Sequence, residues 1–83
     1  MNLMTLPRGQ AVQIRATTIG ILAPDGSRLR VRRPTTIRAV PTGRFARDPE
    51  TGSLRRQFVL IDDPPLVPGV TRAWVTQRVI AAL

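Results

Sequence analysis

The chain has 83 residues, thirteen of them Arg, against five acids, for a formal net charge of +8. It contains no His, Cys, Tyr or Lys. Those side chains supply most general bases, nucleophiles and metal ligands, so the composition points away from catalysis, metals and cofactors and towards binding something acidic.

One small domain is expected, with residues 1–9 as an N-terminal extension and 10–83 as the folded unit. Such a domain buries only about 60–65% of its unfolded surface. Without Cys, neither disulfides nor thiolate metal sites can staple it, and oligomerisation or docking on a larger assembly is the remaining way to bury more. The opening Met1-Asn2-Leu3-Met4-Thr5-Leu6-Pro7-Arg8 has no apolar stretch of signal-peptide length, and no apolar run is long enough to span a membrane. The expected location is cytoplasmic.

Gln10 to Leu22 reads as the first strand. Val12, Ile14 and Ala16 alternate with Gln13 and Arg15, and the parity then shifts to Ile19 and Ile21. A bulge near Thr17-Thr18 or a bend at Gly20 accounts for the shift. Ala23-Pro24-Asp25-Gly26 is a three-residue hairpin loop: Pro presets φ, Asp suits the next position and Gly takes the left-handed one. Pairing Ala23 with Ser27 sets Ile21 opposite Leu29 and Ile19 opposite Val31 on the buried face. Arg28, Arg30 and Arg32 then project from the other.

Arg33-Pro34 ends the second strand. Thr35 to Val40 starts a third, Pro41-Thr42-Gly43 interrupts it, and Arg44 to Arg47 can continue it. Asp48-Pro49-Glu50-Thr51-Gly52-Ser53 is a second turn. It sets Arg47 opposite Leu54, Ala46 opposite Arg55 and, by extension, Asp63 opposite Arg38 as an ion pair. Leu54 to Asp62 is the fourth strand, with Phe58-Val59-Leu60-Ile61 apolar on both faces as in the most buried strand of a sheet. Asp63-Pro64-Pro65-Leu66-Val67-Pro68-Gly69 is a Pro-rich loop. The tail from Val70 fits either a helical stripe (Trp74, Val75, Val79, Ile80, Leu83) or a strand, a one-turn 3₁₀ segment and a short closing strand.

On the second reading, Ala73-Trp74-Val75-Thr76-Gln77-Arg78-Val79-Ile80-Ala81-Ala82 resembles the ending of an SH3-like barrel. The two preceding hairpins suit such a barrel too. The resemblance implies a mostly β, five-stranded antiparallel SH3-like barrel with the Pro-rich loop before its last segment. It implies no function: there is no Tyr, and one Trp cannot build a peptide-binding groove.

The candidate site residues are two arginine groups. Arg28, Arg30, Arg32 and Arg33 form a row whose alternate members project about 6.5–7 Å apart, close to the spacing of nucleic-acid phosphates. The alternative is a solvated face guarding an edge strand. Arg44, Arg47, Arg55 and Arg56 surround the second hairpin, which is either a basic ribbon for a nucleic-acid groove or a solvated arm. Trp74, Phe45 and Phe58 read as core or interface anchors. Asp62 and Asp63, adjacent on a strand, point to opposite faces and make no acid–base pair.

The leading expectation is a non-enzymatic nucleic-acid-binding protein using Arg–phosphate contacts. The alternative is a structural subunit of a larger assembly, such as a phage capsid decoration or head–tail connector protein in a virion, whose basic surface meets acidic protein neighbours or further copies of itself. A small inhibitor or adaptor of one acidic protein is a third reading.

Overall fold

The alternation around Ile14 folds as predicted. In the computed structural model, which describes residues 3–16, 21–29, 33, 35–62 and 67–76, Ile14 is buried and Gln13 and Arg15 are not. Five strands form: β1 (Val12–Ala16), β2 (Ile21–Leu22), β3 (Thr35–Arg47), β4 (Leu54–Leu60) and β5 (Arg72–Thr76). They make one sheet in the order β1-β3-β4-β5-β2, with every neighbouring pair antiparallel. The described residues contain no helix, so none long and apolar enough to cross a membrane.

The expected strand count is right, but its members differ. The run 10–22 is two strands at opposite ends of the sheet rather than one bent strand. The hairpin turn has the predicted register: Ala23 N–H donates to Ser27 O (2.7 Å), Leu22 bridges Arg28, and Ile21 and Leu29 are both buried. Gly26 takes the left-handed φ of +90° that the loop requires. Of the return arm, the described residues show one bridge, Arg28 to Leu22, on the edge of β2 opposite to the one that pairs with β5. Ile19 and Val31, and the expected 3₁₀ turn and closing strand after Thr76, lie outside the described residues. The helical reading of the tail fails at β5.

The sheet is not closed by hydrogen bonds, so the SH3-like barrel is not reproduced as such. It is nevertheless strongly coiled. In a flat sheet Ala16 and Ile21 would sit about 19 Å apart across the strands and about 26 Å apart along them. The chain between them reaches at most about 18 Å. The sheet must therefore wrap round its apolar face.

That face carries the core. Ile14 lies opposite Ile37, and Val75 opposite Ile21. Phe58, on the central strand, is flanked by Pro41 and Ala73, small enough to admit its ring. All these side chains are buried, and Leu3 and Leu6 join them. The segment before residue 10, expected as an extension, is thus part of the core. Ile61, just past β4, is 41% exposed rather than buried, because it is out of phase with the inward-facing Arg56 and Phe58.

Arg56 shares the inner face with Phe58 and is 3% exposed. Its Nε donates to Thr42 O (2.8 Å), and its Nη1 to Leu3 O (3.0 Å) and Leu6 O (2.7 Å). Its Cζ stands 4.9 Å from the centre of the Phe45 ring, a cation–π contact. Burial lowers its pKa, yet a guanidinium stays protonated. Arg56→Met should therefore strand three carbonyl oxygens and cost about 3 kcal/mol or more of unfolding free energy. Arg56→Lys, with one compact ammonium, should recover only part of it. Urea denaturation of the three proteins checks this, and a Met variant as stable as the parent would refute it.

Candidate functional site

β3 is longer than its partner, and the excess is absorbed in one place. Pro41 pairs with Phe58 and Phe45 with Arg56, so Thr42, Gly43 and Arg44 together face Gln57. Thr42 stitches this bulge. Its hydroxyl lies 3.2 Å from both the carbonyl and the side-chain oxygen of Gln57 and accepts the Arg44 N–H at 3.2 Å. Bulges of this kind re-aim side chains. Here Gly43 and Arg44 are pushed to the outer face, where both are exposed.

The N-terminal segment continues along the edge of β3 past the end of β1, with Gly9 N–H donating to Pro41 O (3.1 Å). This brings Arg8 over the bulge. A Cβ on Gly43 would lie 3.3 Å from Arg8 Nη1, so the missing side chain makes the space that the guanidinium occupies. Arg72 comes from β5, two residues before Trp74, which pairs with Gln57. Arg8, Thr42, Gly43, Arg44, Gln57 and Arg72 line one recess of about 360 Å³. No described lining residue is acidic, and none of the three guanidinium groups has a hydrogen-bond or ion-pair partner among the described residues.

The two predicted arginine groups fare differently. Arg28 and Arg33 are exposed, and Arg30 and Arg32 lie outside the described residues. Arg44 is exposed and lines the recess. Arg47 is exposed and donates to Gly52 O (3.0 Å). Arg55 is half-buried, bound to Asp48 Oδ2 at 2.6 Å. Arg56 is a correction: its guanidinium is sealed in the core on three carbonyls and cannot reach a phosphate. The four second-hairpin arginines do not form one surface, because Arg55 and Arg56 are adjacent in β4 and so face opposite sides.

Two further readings change. The bulge shifts the ladder by two residues, so Ile61, not Asp63, meets Arg38, its N–H donating to Arg38 O. Asp62 Oδ2 accepts the Arg38 backbone N–H (3.0 Å), and the expected ion pair from Asp63 lies outside the described residues. Of the core and interface readings of Phe45, the core one does not hold: Phe45 is 41% exposed and lies over the Arg56 guanidinium. Trp74 is half-buried on the outer face, its indole N–H donating to Pro24 O (3.2 Å) and docking the first turn onto β5. Arg8, Thr42, Gln57 and Arg72 were not expected at the site. The Pro41-Thr42-Gly43 interruption was the available signal, since an interruption that does not end a strand is a bulge.

Comparison with known proteins finds no family model, no curated protein and no solved structure that matches this chain.

Gly43→Ala places its new methyl against the flexible end of Arg8 rather than against backbone. The unfolding free energy should change by no more than about 0.5 kcal/mol. The Arg8 Nε–Hε resonance should shift, and an unmoved resonance would mean that Gly43 does not make the space. The hairpin carboxylate Asp48 gives a pH test. It accepts the N–H of Glu50 (2.8 Å) and of Thr51 (3.3 Å) and the Arg55 guanidinium. These bonds, Glu50 first, hold its carboxyl below the usual 3.8. A carboxyl depressed in the folded state stabilises it above its unfolded pKa and stops doing so as pH falls through the folded value. The gap in thermal midpoint between the parent and Asp48→Asn should hold from neutral pH to about pH 4 and narrow below it. A gap unchanged at low pH would show that the charge contributes nothing.

Proposed function

We propose that this chain binds polyanionic partners, nucleic acid foremost, through the outer face of its sheet, and carries out no chemistry on them. The observation that carries the reading is the convergence of Arg8, Arg44 and Arg72, from three separate segments, on one recess with no acid among its described lining residues. Exposed Arg15 and Arg38 lie on the same outer face, since Arg38 pairs with Gln13 and both lie out of phase with the buried Ile14–Ile37 pair. Half-buried Val40 and Val59 separate Arg38 from Arg72. Guanidinium groups that are solvated and unpaired are available to exchange counterions for phosphates. Aromatic stacking platforms are few, which favours duplex or structured nucleic acid over unpaired strands. The coiling forced by the short link between β1 and β2 supports closure into an SH3-like barrel as the finer fold reading.

The test is a salt titration on two unrelated duplexes with the parent and the triple variant Arg8→Gln, Arg44→Gln, Arg72→Gln. Log affinity against log salt should become shallower by about 0.9 for each phosphate that the variant no longer binds, equally for both duplexes. An unchanged slope would remove the recess from the interface. A parent that binds no duplex at low salt would turn the reading to the alternative, a basic subunit docked on acidic neighbours in an assembly.

A further inference from the structure

We infer that the recess between the β3 bulge, β5 and the N-terminal turn seats one phosphomonoester group, such as the terminal phosphate of a nucleic-acid strand. This rests on the polyanion reading above and narrows it to a ligand class.

The shape is the first argument. A duplex backbone crossing a surface presents a run of singly charged diesters, which a flat strip of cations matches. The arginines here come from three separate segments and meet at one open recess of about 360 Å³, a cluster rather than a strip. A cluster concentrates its donors on one multiply charged group, whereas a run of diesters spreads its charges along the surface.

Charge is the second argument. Three guanidinium groups face the recess, and no described lining residue offsets them. A phosphomonoester carries about −1.5 to −2 at neutral pH and three strong acceptor oxygens, whereas a diester carries one charge. Guanidinium forks bind such oxygens two at a time. Gln57, 7% exposed, directs its side-chain oxygen to Thr42, and its amide nitrogen has no partner among the described residues, leaving a neutral donor at the recess wall. No aromatic residue is among the described lining, so stacking would not read the base.

Positioning is the third. Arg8 does not hang from a loose tail. The turn that carries it is bound through Leu3 O and Leu6 O to Arg56 and through Gly9 to Pro41. Arg44 sits on the bulge that Thr42 stitches. Donors held before the ligand arrives lose less freedom on binding.

The composition supplies an unusually clean experiment. With no His and no Cys, the protein has no side chain that ordinarily titrates between pH 5.5 and 7. The second ionisation of a phosphomonoester falls near pH 6. A change of affinity across that window therefore reports the ligand. One duplex is prepared with 5′-phosphate and with 5′-hydroxyl ends, and binding to the full chain is followed by fluorescence anisotropy at fixed salt. The phosphorylated duplex should bind about tenfold more tightly at pH 7, the worth of one added charge-assisted contact. The preference should shrink at pH 5.5 and vanish in Arg8→Gln and Arg72→Gln, with residual duplex binding retained. Inorganic phosphate should compete for the preference and shift the Gly43 amide resonance. Equal affinity for the two ends, with duplex binding intact, would overturn the inference and leave the polyanion reading standing. Failure to bind either duplex, with inorganic phosphate still shifting Gly43, would overturn the nucleic-acid reading and assign the recess to a small phosphate compound. No response to phosphate or duplex would sink both.

Discussion

A cation buried without a counter-ion among the described residues organises this molecule. Removing a guanidinium from water costs several kcal/mol, and Arg cannot relieve that cost by losing its proton. Arg56 is tolerated because three carbonyl oxygens converge on it, two from the N-terminal turn and one from the β3 bulge. These carbonyls lie in a turn and a bulge, where ladder hydrogen bonds are interrupted. The dependence is mutual. The cation requires the oxygens, and the oxygens require a donor inside an apolar core. Residues 3–6 cannot leave the sheet without stranding a charge, so the turn is held in place. Leu3 and Leu6 add apolar burial to the same attachment.

The bulge is equally constrained. A single inserted residue would flip every later side chain of β3 to the opposite face. The register instead shifts by two, from Pro41↔Phe58 to Phe45↔Arg56, so inner residues stay inner on both sides of the irregularity. Pro41 has no N–H to give and sits where the ladder is already broken. Thr42 then serves both faces. Its carbonyl accepts from Arg56 inside, and its hydroxyl holds Gln57 and Arg44 outside. A core interaction and a surface recess therefore share one residue, and the recess inherits its geometry from the core.

Legibility followed the range of the interactions. Both turns and their registers were readable, because Pro24-Asp25-Gly26 and the Asp48–Ser53 segment are decided by a few consecutive residues. Ser27 donates to Asp25 and Glu50 N–H to Asp48 as such turns require. Alternation placed Ile14 correctly. What could not be read were pairings at a distance. Nothing local says that Ile21 leaves β1 for β5, or that two residues loop out opposite Gln57. That unseen shift is what sets Ile61 opposite Arg38. Burial of Arg56 was in principle accessible from its parity with Phe58 and Leu60, but Phe58-Val59-Leu60-Ile61 is apolar at every position, which hid which parity faced inwards. Arg8 was invisible as a site residue because its segment looked like an extension.

The arginine-rich composition consequently has no single meaning. Arg56 is a core residue that lysine could not replace, since one ammonium does not span three carbonyls from two segments. Arg55 is largely neutralised by Asp48 at the base of a hairpin. Arg47 tethers the same turn through Gly52. Their charges enter the +8, yet these three are engaged within the fold rather than free for a partner. The arginines that remain solvated and unpaired at the recess come from the N-terminal turn, the bulge and β5, positions with no common sequence pattern. Charge clustering along the chain and charge clustering in space are different quantities here, and the coiling of the sheet decides between them. The acids reinforce the separation. Asp25 is bound to Ser27 and Asp48 to its own turn, both carboxyls held below their usual range by those hydrogen bonds. With these negative charges committed to turns, the field over the bulge is set by arginine alone among the described lining residues, and the part of the surface that the core holds most firmly is also the part that an anion would meet.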